Sequence, residues 1–196
     1  MSNYFAVYKP YGVLSQFTAE EGKQGLGSLH EFPKTVYPVG RLDEDSEGLI
    51  LLTDDKKLTT LLLDPESGKT KTYWCEVEGI PDPDALRRLE QGFEINLKGT
   101  KHKTKPAKAS VLETVPEIPP RSVPVNYTKA PQHCWLELQI TEGKNRQVRK
   151  MTAAVGHPTL RLIRVAIENL KLESYEPGWV KKLGGNELYR MLNIRR

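Results

Sequence analysis

The feature that most constrains the fold is a short aliphatic run, Leu49-Ile50-Leu51-Leu52, enclosed between Gly48 and Asp54-Asp55. Four to eight apolar residues bounded by turn and cap residues suit a buried strand. Asp54 and Asp55 supply N-cap chemistry for a helix running through Leu63. Upstream, Gly40 allows a bend without a Cβ clash, and Arg41-Leu42-Asp43 leads into four carboxylates within Asp43–Glu47. An acidic loop is therefore expected between a glycine turn and a core strand. Carboxylates on a loop fixed by a rigid scaffold are well placed for catalysis.

A solvated acidic turn is the plain reading of such a charge run. Calcium is a second one, because Asp43, Asp45, Glu47, Gly48 and Asp54 follow the spacing of an EF-hand loop. That motif needs a bidentate Glu at its last position and a helix on each side. Asp54 stands at that position, Pro38 and Gly40 deny the incoming helix, and the aliphatic run denies the outgoing one. No metal is expected, and the four histidines (His30, His102, His133, His157) show no ligand spacing.

With 196 residues, the chain is long enough for one domain or two small lobes. No run reaches transmembrane length, and no membrane association is expected. The N-terminus lacks the apolar stretch of a signal peptide. Cys75 and Cys134 lie in separate expected strands and form no CxxC, which fits reduced thiols and a cytoplasmic location. Charge is uneven. Residues 1–64 hold 6 Lys/Arg against 10 Asp/Glu, a net of −4, and residues 65–196 hold 23 against 15, a net of +8. A basic bulk beside an acidic loop fits a polyanionic partner presented to a carboxylate.

Along the chain, strands are expected at Asn3–Lys9, Lys71–Gly79, Pro106–Val115, Cys134–Ile140 and Thr159–Ile167. Helices are expected at Leu26–Phe32, at Pro81–Gly92 with Asp82 as cap, and from Arg146 to Val155 with Asn145 as cap. Pro116–Pro131, with five prolines, reads as a long irregular excursion. Lys98–Lys105 carries four lysines and no acid, so it is either a solvated hairpin tip or a phosphate-contacting loop. Thr141–Val165 sets Lys144, Arg146, Arg149, Lys150, Arg161 and Arg164 against one acid, Glu142. On residue type alone, Tyr73 reads as a core aromatic.

Four motifs occur in order: K-P-x-G-V from Lys9, G-R-L-D from Gly40, K-x-Y from Lys71, and E-G-x-x-R-Q-V-R from Glu142. Together they resemble the RNA pseudouridine synthases of the RsuA/RluB/RluE/RluF type over about Tyr4 to Leu172. The resemblance implies an α+β fold: a mixed, mainly antiparallel sheet with flanking helices, and two lobes (1–68 and 69–168) around a central cleft. Residues 169–196 form a C-terminal extension. It implies Asp43 as nucleophile, Tyr73 against the target base, Val148 packed beneath that base and Arg149 as ion-pair partner of Asp43. The first motif is expected to brace the catalytic loop. Basic residues at Arg41, Arg146, Lys150, Arg161, Arg164, Lys101, Lys103 and Lys105 are expected to bind substrate.

Relatives often carry an N-terminal S4-type RNA-binding domain. The first motif here begins too early for one, so none is expected, and the resemblance points to the RluE-like branch. The partner implied is ribosomal RNA, 23S, acted on by a monomer. Converting uridine to pseudouridine cuts N1–C1′ and rejoins the base through C5, with no redox change, so no cofactor is expected. A cation beside a buried carboxylate favours its charged form. The target base must leave the helical stack, so a flipped base and a basic track for its neighbours are expected. Two other classes fit part of the pattern. A glycoside hydrolase with paired carboxylates leaves the basic helix unexplained. A non-catalytic RNA-binding protein leaves the G-R-L-D constellation idle.

Overall fold

The computed structural model describes residues 2–128 and 130–195. Its strands, in chain order, begin with β1 (Tyr4–Lys9), the two-residue β2 (Val13–Leu14) and β3 (Gln24–Gly25), β4 (Tyr37–Pro38) and β5 (Glu47–Thr53). After them come β6 (Lys71–Glu78), the hairpin β7 (Glu94–Leu97) and β8 (Thr100–Lys103), β9 (Lys108–Val111) and β10 (His133–Ile140). The last three are β11 (Thr159–Ile167), β12 (Leu170–Lys171) and β13 (Val180–Lys182). Helices are α1 (Lys56–Leu63), α2 (Pro83–Gln91), α3 (Gln147–Ala154) and α4 (Gly185–Met191).

A nine-stranded sheet forms the frame, in the order β13-β1-β5-β11-β6-β10-β9, with β12 on β11 and β4 on β5. Its pairs are antiparallel except β5 with β11. That parallel ladder has two rungs, Ile163 to Glu47 and Arg164 to Gly48, and it joins the part of the sheet made of β13, β1, β4 and β5 to the part made of β11, β12, β6, β10 and β9. Gly48 makes this approach possible. Its φ is +105°, and a Cβ there would lie 2.3 Å from the Arg164 carbonyl oxygen. β5 opens two residues ahead of the aliphatic run, at Glu47, because β11 pairs with it there.

Both faces of the sheet are covered. Alternation sends Ile50, Leu52, Phe5, Val7 and Cys75 to one face, under α2 and α3. Leu49, Leu51, Tyr4, Ala6 and Ile163 go to the other, under α1 and α4. Two-sided burial is why β5 reads as an unbroken apolar run and not an alternating one.

Caps follow the chemistry of the chain ends. Asp55 accepts from the Leu58 amide at 3.0 Å to start α1, and Asp82 accepts from the Ala85 amide at 2.8 Å to start α2. Three expected elements differ. The helix at Leu26–Phe32 is a single 3-10 turn, Leu26–Ser28. The strand at Pro106–Val115 shrinks to Lys108–Val111, where β10 gives it partners. Asn145 does not cap α3. The cap position is Arg146, in the left-handed region with φ 52°, and the Gln147 side chain accepts from the Lys144 amide at 2.9 Å instead. Cys75 and Cys134 are both free thiols.

Candidate active site

The acidic loop spans Gly40 to Ser46, between β4 and β5, and the first motif holds it from beneath. The Lys9 side chain is fully buried. Its Nζ donates to the carbonyls of Pro10 at 2.9 Å and Val13 at 2.7 Å, and reaches that of Glu44 at 3.4 Å. Burial lowers the Lys9 ammonium to about 8 despite the carboxylates of Glu47, Asp45, Asp43 and Glu44 around it. The Gly12 amide donates a hydrogen bond to the Glu44 carbonyl at 2.9 Å. The buried Ser15 hydroxyl donates to the Leu42 carbonyl at 2.7 Å and accepts from the Leu42 amide at 2.9 Å. These bonds fix the backbone on either side of Asp43. The K-P-x-G segment therefore braces the loop, as the resemblance implies.

Asp43 lines a groove of ≈ 840 Å³. Its side chain is about one-third exposed, 34%. Tyr73, from the centre of β6, and Val148, from the first turn of α3, are buried in the groove wall. Arg41, Arg146, Arg164, Lys103 and Lys105 line the same groove. The structure thus gathers Asp43, Tyr73, Val148 and five of the expected substrate contacts from distant parts of the chain into one groove.

Four of the expected contacts do otherwise. Arg149 does not ion-pair with Asp43. Its Nε lies 3.4 Å from Asp45 Oδ2, its Nη2 donates to the Asp45 carbonyl at 2.7 Å, and its Nη1 donates to the Thr159 carbonyl at 3.1 Å. The cation nearest Asp43 is Arg146, with Nη1 3.8 Å from Asp43 Oδ2. Arg146 also forks onto Asp45 at 2.9 and 2.8 Å. Burial alone would raise the Asp45 carboxyl, but the Arg146 hydrogen bonds and the Arg149 charge hold it below the usual carboxylate range. Two residues past the expected nucleophile, Asp45 is the carboxylate that seats both arginines. Sequence spacing could not assign it, because adjacent loop acids differ only in where their side chains point.

Arg161 is not a surface contact. It forks onto Glu47 at 2.8 Å through Nε and Nη2 and donates to the Pro119 carbonyl at 2.9 Å. Tyr8 donates to the same Glu47 at 3.0 Å. Lys101 points away from the groove and pairs with Glu94 at 3.3 Å. Lys150 also lies outside the groove lining.

The lysine hairpin is tied to α3 by Glu142, which the sequence shows only as the motif's lone acid. Buried Glu142 accepts from the Lys105 amide at 2.8 Å and from Gln147 Nε2 at 2.5 Å, and sits 2.9 Å from His102 Nε2. These contacts fix the end of the hairpin whose Lys103 and Lys105 line the groove. The former calcium-loop candidates are likewise engaged elsewhere: Glu47 pairs with Arg161, Asp54 accepts from the Asn3 amide at 2.7 Å, and the loop is flanked by strands.

A braced loop that presents Asp43, an aromatic and an aliphatic wall, and arginines and lysines in the lining describe a groove that can hold an unstacked base against a carboxylate. Comparison with known proteins agrees. The family model for RNA pseudouridylate synthase matches residues 3–154. The chain is 50% identical over 171 residues to "Ribosomal large subunit pseudouridine synthase E" of Xanthomonas axonopodis pv. citri (strain 306), covering 86% of this chain and 87% of that one. It is 35% identical over 189 residues to "Ribosomal large subunit pseudouridine synthase B" of Bacillus subtilis (strain 168), covering 96% and 70%. A solved structure titled "Crystal structure of pseudouridylate synthase" superposes with a TM-score of 0.78 at 27% identity, over 97% of this chain and 74% of that one. Motif order, loop geometry and these matches lead to one conclusion: the chain belongs to the RNA pseudouridylate synthase family.

Proposed function

We propose that this chain converts a uridine of 23S ribosomal RNA to pseudouridine, as a cytoplasmic monomer, with Asp43 as the nucleophile and Tyr73 against the base. The observation that carries the reading is the position of Asp43. It sits, one-third exposed, on a loop braced from below by Lys9 and Ser15 and lines a groove walled by Tyr73 and Val148, whereas the equally exposed Asp45 is taken up by Arg146 and Arg149. The ribosomal target is supported by the names of the relatives, two of them at 50% and 51% identity.

The chemistry needs little else. The N1–C1′ bond breaks and a C5–C1′ bond forms, while N1 gains a proton and C5 loses one. A carboxylate acting at C1′, at C6 or on the 2′ hydrogen serves each route to this product. Tyr73 and Val148 hold the freed uracil while it turns, and cations on the rim hold the flanking phosphates. Incubation with 23S rRNA carrying 5-tritiated uridine tests the proposal: it predicts tritium release to water in proportion to pseudouridine formed. Binding without release would reduce the chain to an RNA-binding module.

A further inference from the structure

Two cations of the groove wall, Lys71 and Arg164, are withdrawn from solvent with no carboxylate beside them among the described residues. Arg161 and Arg164 lie three residues apart on β11 and are equally buried, at 6% exposure each. Arg161 is paired with Glu47. Arg164 donates from Nε to the Leu49 carbonyl at 2.7 Å, but its buried Nη2 has no partner among the described residues. Lys71 is half-buried, and among the described residues its Nζ donates to the Lys69 carbonyl alone, at 3.0 Å. Neither cation has a carboxylate within 4.0 Å among the described residues.

Register places them side by side. Lys71 and Tyr73 are two apart on β6 and so share a face, and Arg164 stands directly across from Tyr73 on β11. All three line the groove. Burial lowers the Lys71 ammonium, and the Arg164 charge lowers it further. The acids in range are already engaged. Glu168 accepts from the Thr70 amide and from Asn193 Nδ2, both at 2.6 Å, and Glu142 holds the lysine hairpin. Burying a guanidinium with an open donor beside a second cation is unfavourable unless an anion completes the site.

We infer that Lys71 and Arg164 form an anion subsite in the groove wall that seats a phosphodiester oxygen of the bound RNA beside Tyr73. The inference rests on the RNA-modifying reading of this groove. The subsite anchors the strand next to the base held by Tyr73, so that the sugar of that nucleotide is presented to Asp43. A phosphate keeps its charge throughout the reaction, so the subsite contributes to binding equally before and during the chemical step.

The test uses in vitro transcribed 23S rRNA carrying 5-tritiated uridine, with the wild type, Lys71→Gln, Lys71→Arg and Arg164→Lys. Lys71→Gln is expected to raise KM roughly tenfold, the worth of one charge-assisted hydrogen bond, with kcat within twofold. Its slope of log affinity against log salt should be flatter by about 0.7, one single-strand phosphate. Lys71→Arg and Arg164→Lys, which keep the charge, should retain most of the affinity, and Lys71→Gln, which removes an uncompensated charge, should not lower the melting temperature of the RNA-free protein. A Lys71→Gln protein with wild-type KM and slope overturns the subsite. So does a fall in kcat at constant KM, which would assign the two charges to the departing uracil instead. If the wild type releases no tritium, the enzymatic reading fails, and filter binding of the same RNA still reads the slope and decides the subsite.

Discussion

At the scale of single residues, the site depends on which carboxylate each cation serves. Asp43 is left part-exposed with one arginine at 3.8 Å, while Asp45 takes the fork of Arg146 and the Nε of Arg149. Replacing Asp45 with Asn keeps its shape but removes the charge that draws both guanidiniums from Asp43. Activity should fall roughly tenfold, in line with losing charge-assisted bonds at a partly exposed site. Glu44→Gln touches only the exposed pair with Lys23 and should stay within twofold. Equal activity in the two variants would show that Asp45 is not the seat. Lys9 gives a pH signature. In the fold it titrates near 8, below the 10.5 of ordinary lysine, because burial disfavours its charge. Between those values the unfolded chain binds more protons, so the burial penalty is full below pH 8 and fades as pH rises toward 10.5. In urea unfolding, the stability of wild type relative to Lys9→Met should therefore climb by up to about 1.4 kcal/mol per pH unit across that window. A difference that stays flat with pH would contradict the buried-ammonium assignment.

At the scale of elements, the β5–β11 ladder brings the two halves of the sheet together, and the Glu47–Arg161 pair secures it from one side. Arg161→Met would leave a buried carboxylate with only the Tyr8 hydroxyl. It should destabilise the fold by about 3–5 kcal/mol without altering the salt dependence of RNA affinity. Lys103→Gln, on the groove wall, should do the reverse and flatten the slope by about 0.7. Arg161 reads as a substrate contact in the sequence because a basic run on a strand does not show which residues meet a buried acid. Glu47 lies more than a hundred residues away, and only the parallel pairing puts it there. Most regular elements were legible: β1, β5, β6, β10 and β11 from apolar pattern, α1 and α2 from aspartate caps. The C-terminal segment was not. β13 is three residues long and α4 has glycine at its cap, so neither carries a strong local signal. Both form because β1 offers an open edge and the outer face needs Leu188 and Tyr189.

At the scale of the molecule, the fold is a device for bringing four separated motifs to one end of a sheet. Lys9 and Asp43 come from the two sides of the β1–β5 pair, Tyr73 from β6, and Val148 from the helix leading into β11. Motif order in the sequence was enough to place the acidic loop, the aromatic and the helix in one groove. The finer electrostatics were out of reach, because they depend on side-chain direction within a seven-residue loop and on a hairpin clamped by Glu142. The central claim is that Asp43 carries the chemistry while the rest of the groove carries the binding. Asp43→Asn conserves shape and removes the proposed nucleophile, so tritium release from 5-tritiated 23S rRNA is the direct measurement, taken beside RNA affinity on the same preparation. The account predicts loss of release to background with affinity within a few-fold of wild type. Retention of most of the activity in Asp43→Asn would contradict it.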